Sequence, residues 1–155
     1  MGMSGRYLVV TEALIESIKS GEISVHDCQV DLDIDKTWQM LQFTLNGNLL
    51  DGEPPLGYVV PLASEQYLGR YDDMDLFLLS HEQVLEAYMA LEQLTPEDVR
   101  ARFSLENMLA EGVYPVMEGW DEEVIFQEIM QTIDMIQALF QVTVENGKGI
   151  VFYVF

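Results

Sequence analysis

Three aspartates on alternate positions, Asp31, Asp33 and Asp35, stand in the stretch VDLDIDKTW, which Trp38 closes. Carboxylates grouped in this way can ligate a divalent cation, work as an acid-base pair, or serve solvent and a helix start. A calcium loop opening at Asp31 would need glycine at its sixth position and a bidentate glutamate at its twelfth. Those positions hold Lys36 and Gln42, and the lysine would put a positive charge beside the ion. No metal site is assigned. A short strand fits the alternation instead, with Leu32 and Ile34 inward, Asp31 and Asp33 outward, and Asp35 at the N-cap of a helix entered at Trp38. The enzymatic alternative is a metal-assisted or acid-base hydrolase centred on Asp31, Asp33 and Asp35.

Other reactive side chains are few. His26, Asp27 and Cys28 have the residue types of a thiol nucleophile site, but true triads draw their members from separated segments. A pairing of Cys28 with His81 across the fold competes with plainer accounts, a small buried thiol and a first-turn helix histidine. One cysteine and two histidines cannot fill a common structural zinc site. The NGKG near the C-terminus lacks a phosphate-loop frame and precedes a strand, so it reads as a turn. No catalytic residue is assigned and no cofactor is expected. Tyr58, Tyr67, Tyr71, Tyr114 and Trp120 fall in expected loops, and some of them make the one interface-like constellation, aromatic anchors in an acidic rim; the candidate ligand- or partner-binding residues are Asp31, Asp33, Asp35, Trp38, Tyr114 and Trp120.

The elements that would position these residues follow from caps and periodicity. RYLVV (residues 6–10) reads as a strand, and Thr11 caps a helix carrying Leu14, Ile15 and Ile18 on one face up to Gly21. Trp38, Leu41 and Leu45 lie at helical spacing before Gly47. Residues 46–75 are rich in Gly, Pro, Asn and Asp, the part of the chain most suited to a binding surface. DLFLL (75–79) reads as a strand, and Ser80 with Gln83 forms a capping box for a helix over 81–94 with Val84, Leu85, Tyr88 and Met89 inward. Thr95, Pro96 and Asp98 repeat the device, and a short helix from Ser104 should end near Gly112. Between Asp121 and Glu145, Ile125, Ile129, Ile133, Ile136 and Phe140 form a wide apolar arc, the pattern of a central helix. IVFYVF is apolar on both faces, which places it inside a sheet, paired with RYLVV. Met89, Met130 and Met135 are read as core filler. The fold class is α+β, one domain over 1–155, mostly helical around a small sheet that includes the N- and C-terminal strands.

With 155 residues the chain can bury roughly two thirds of its unfolded surface. Seven Lys and Arg against 27 Asp and Glu give a formal charge of −20, a surface that repels nucleic acid and anionic lipid. No apolar run is long enough to span a bilayer, no secretory leader is evident, and the lone cysteine suits a reducing cytoplasm.

LDIDKTW, the FTLNG that follows, RARF with Met108, Tyr114-Pro115 with Trp120, and the ending ENGKGIVFYV together resemble the YfbM-like family of bacterial proteins, in order and spacing over nearly the whole chain. The resemblance implies a small soluble α+β protein and brings no established activity. Family members often carry a histidine soon after the tryptophan, where this chain has Gln39 and Gln42, so no histidine role is carried over. The expected function is therefore a non-enzymatic acidic binding protein of the bacterial cytoplasm, an inhibitor or immunity-type protein for a basic partner. A structural or homo-oligomeric role would be marked by an apolar patch at the edge of the C-terminal strand.

Overall fold

The computed structural model describes residues 2–155. Five strands, β1 (Gly5–Val10), β2 (Leu32–Asp33), β3 (Tyr67–Tyr71), β4 (Met74–Leu79) and β5 (Gly149–Val154), form one antiparallel sheet in the order β2-β1-β5-β4-β3. Six helices accompany it: α1 (Glu12–Ser20), α2 (Trp38–Asn46), α3 (His81–Gln93), α4 (Pro96–Arg102), α5 (Leu105–Glu111) and α6 (Glu122–Glu145). The chain is an α+β protein, and its N- and C-terminal strands are neighbours, with Tyr7 opposite Phe152. β5 lies between β1 and β4, so it has no free edge on which an oligomer-forming patch could sit.

Both faces of the sheet are covered, and strand alternation sorts the side chains between them. Tyr7, Leu79, Ile150 and Phe152 face the larger core, which α2, α3 and α6 complete with Leu41, Val84, Ile129 and Phe140. Leu8, Val10, Leu76, Val151 and Tyr153 face a smaller core closed by Ile18 of α1 and by Val25. This two-sided burial explains the uninterrupted apolar run of β5. The Tyr7 hydroxyl is fully buried and donates to the Val59 carbonyl at 2.7 Å, tying the sheet to the end of the long loop; burial pushes its phenol well above the ordinary range.

Helix starts follow local cap chemistry. Thr11, Ser80, Thr95, Ser104 and Asp121 each accept a backbone N–H of the first turn, and Ser80–Gln83 and Thr95–Asp98 form reciprocal capping boxes. Gly21, Gly47 and Gly112 end their helices in the left-handed conformation.

Three expectations are corrected. Asp35 does not cap α2. It opens a 3-10 turn over Asp35–Thr37 with φ of 50°, and this left-handed backbone, held by a bond from its N–H to the Asp33 carboxylate, carries its side chain to Ser4 rather than to the first helical turn. The part of 46–75 that holds Tyr67 and Tyr71 is not an open loop: β3 pairs with β4 around a two-residue turn in which Asp72 and Asp73 both have positive φ, a conformation aspartate tolerates. Met89 and Met135 are not core, with 57% and 44% of their surface exposed, and Leu85 is also exposed. The inward face of α3 is instead Val84, Ala87 and Leu91. Met130 is half-buried against the main core.

One acidic side chain reports on packing between helices. Arg100 of α4 lies over the Phe126 ring at 3.6 Å and grips Glu123 of α6 through two bonds of 2.8 and 2.9 Å. The Arg100 guanidinium, and then the Gln127 amide, hold the Glu123 carboxyl down to about 2. An unfolded glutamate titrates near 4.3, so this pair's contribution is present above that value and is lost as pH falls through about 2. Melting temperatures of wild type and Glu123→Gln should differ above about pH 5 and converge towards pH 2. Parallel curves would show that the pair adds nothing.

Candidate functional site

The three aspartates lie on the short edge strand and the turn after it, and their carboxylates serve different neighbours. Asp31 accepts the Val9 N–H at 2.7 Å while its own N–H donates to Tyr7, so it extends the edge pairing of β1 beyond β2. Asp33 pairs with the Arg6 guanidinium at 3.1 Å and accepts the Asp35 N–H. Asp35 accepts the Ser4 hydroxyl at 3.2 Å. All three are exposed, whereas Ile34 between them is buried. Asp33 and Asp35 do line one hollow of about 200 Å³, with Glu128 and Gln131 of α6 on its far side. Among the described residues no three acidic, histidine or cysteine side chains come together as metal ligands.

Trp38 and Tyr114 are brought together, but by the core. The Trp38 ring is 5% exposed and stands 6.0 Å from that of Tyr114. Its indole N–H donates to the Met3 carbonyl at 2.9 Å, while the Tyr114 hydroxyl accepts the Met3 N–H at 2.8 Å. The pair thus clamps the N-terminal segment, which also exchanges two backbone bonds between Ser4 and Phe155. Gln39, next to the tryptophan, accepts the Tyr114 N–H at 2.7 Å. Trp120 is half-buried against the main core.

Further concave surface lies on the loop 47–58 that follows the end of α2. Gln42, 1% exposed, donates to the Asp51 carbonyl at 2.9 Å, and Asn46 donates to Gln42 at 3.0 Å and to the Leu56 carbonyl. The loop doubles back so tightly that a side chain on Gly57 would strike the Gly52 carbonyl. Two open hollows adjoin this turn and share Asn48 and Asp51. One, of about 500 Å³, is lined by Asn46, Glu53, Pro54 and Pro55; the other, about 790 Å³, by Phe43, Leu50, Asn107 and Glu111. Leu50 is 56% exposed at the rim. Every charged side chain lining the two hollows is a carboxylate. A surface of this kind suits cationic groups.

The family model for a domain of unknown function, DUF1877, matches residues 1–153. The chain belongs to the DUF1877 family. The crystal structure of a protein of unknown function, YfbM from Escherichia coli, is similar over 100% of both chains, with a TM-score of 0.76 at 23% identity, which shows a shared fold. No curated protein matches the chain.

In this DUF1877 chain the remaining reactive side chains have separate duties. Cys28 lies 3.6 Å from the Ser24 carbonyl, and burial followed by the nearby Asp27 charge pushes its thiol up, away from a reactive thiolate. The His81 ring bonds the Lys148 carbonyl and the His26 ring the Asp72 carbonyl, at 3.3 and 3.4 Å. Leu50, Asp51 and Glu53 fall within the Gly- and Pro-rich stretch 46–75, but nothing in their types marks them out from the other residues of that stretch. The signal that could have found them is a pair of amides four residues apart on α2, the buried Gln42 and the half-buried Asn46. Such groups need partners, and here the loop backbone supplies them. Among the described residues no helix is long and apolar enough to cross a membrane.

Proposed function

We propose that the protein is a non-enzymatic binding protein of the bacterial cytoplasm that covers a basic partner, in the manner of an inhibitor or immunity protein. The observation that carries this reading is the loop 47–58, bonded to Gln42 and Asn46 of α2, whose hollows present Asp51, Glu53 and Glu111 around an exposed Leu50. A pre-shaped loop loses little entropy on binding, and an apolar anchor in a charged rim is the usual anatomy of an interface. The overall charge of −20 adds long-range attraction for a cationic surface. Capture of the tagged protein from its native lysate, eluted over a salt gradient, is expected to yield one stoichiometric basic protein released as salt rises. A complex indifferent to salt, or no complex, would overturn the reading.

The hydrolase alternative rests on the hollow that Asp33 and Asp35 share with Glu128. Calorimetric titration with magnesium or manganese decides it: heats of binding lost in Asp35→Asn would favour the enzyme, and their absence would remove its nucleus.

A further inference from the structure

Beside the loop lies a second concave surface of different character. It is a groove of about 400 Å³ between Pro54–Pro55 and the outer face of α3, where Met89 and Ala90 make its floor and Glu86 and Gln93 its polar margin. Met89 is 57% exposed in the middle of a well-packed helix. We propose that this groove docks a basic segment of the partner protein. An apolar side chain would sit on Met89 and the prolines, and flanking Lys or Arg would face Glu86 and Glu53.

The proposal rests on the binding reading above and adds the place and chemistry of the contact. Charge complementarity selects the occupant. Neither α3 nor the loop 47–58 contains a Lys or Arg, while Glu53, Glu82, Glu86 and Glu92 are all exposed on them. A second copy of the chain would bring the same carboxylates against these and be repelled; an acidic segment would fare the same. A cationic segment neutralises them, and its apolar residue supplies the desolvated anchor on which such contacts depend. The proline wall is held by the close approach of Gly52 and Gly57, so the groove exists before the partner arrives.

The test pans a random 12-residue peptide library displayed on phage against the full-length protein. Peptides with an apolar residue flanked by Lys or Arg should be enriched. A synthetic consensus peptide should bind Met89→Lys about tenfold or more weakly than wild type. Exposure of Met89 lets the variant fold, and an unchanged melting temperature verifies this. No enrichment, an acidic consensus, or an affinity for Met89→Lys within about twofold of wild type would overturn the proposal. The two readings fail separately. A salt-released natural partner that binds Met89→Lys as well as wild type removes the groove and leaves the binding function. Basic peptides that need Met89, without any natural partner in the lysate, keep the groove and remove the function.

Discussion

Trp38→Ala should destabilise the protein by about 3 to 5 kcal/mol, measured by urea unfolding. Trp38 is buried in the main core with its ring beside that of Tyr114, and removing the ring leaves a cavity there. The Met3 carbonyl also loses its donor, so the N-terminal clamp loosens. Trp38→Phe keeps most of the volume and should cost less. A loss below about 1 kcal/mol for the alanine variant would mean that the tryptophan lines an accessible site rather than a core, and would return weight to the aspartate-centred enzyme.

The second large effect is expected at Gly57. Its alanine variant should lose about 2 to 3 kcal/mol, since the new methyl meets the backbone of Gly52 and neither side can yield without breaking the turn. The loop should then become sensitive to limited proteolysis and the binding of a basic partner should weaken. Gly47 provides the control: its φ of 76° is left-handed but nothing stands within 4 Å, so Gly47→Asn should cost far less. Equal losses at the two positions would show that backbone conformation, not the close approach, governs the loop.

What could be read from the sequence was decided locally. The caps at Thr11, Ser80, Thr95 and Ser104 need only the next three residues, and the burial of β5 was visible because both of its faces are apolar. The α+β class, the pairing of β1 with β5 and the central role of α6 followed from the same signals. Asp35 was misplaced because its conformation depends on Ser4, 31 residues away, as well as on Asp33. Met89 is misread because Leu85 and Met89 also stand four residues apart and outrank the small Ala87 in hydropathy, while the face that packs inward is Val84, Ala87 and Leu91. Of the six candidate residues, Trp38 and Tyr114 clamp the N-terminus and Asp31 and Asp33 fasten the sheet edge, contacts that depend on residues distant in sequence. The shape of the loop 47–58 is hidden, since it depends on the amides of Gln42 and Asn46 in α2 and on two glycines in close approach.

The most direct test of the binding account is the association rate of the captured partner, followed by stopped-flow fluorescence over a range of ionic strengths. Wild type should associate rapidly at low salt and slow by about tenfold or more as salt screens the field, and an Asp51→Asn, Glu53→Gln, Glu86→Gln variant should show a shallower dependence. Rates that ignore salt, or that are the same in the variant, would contradict the claim that these carboxylates recruit a basic protein.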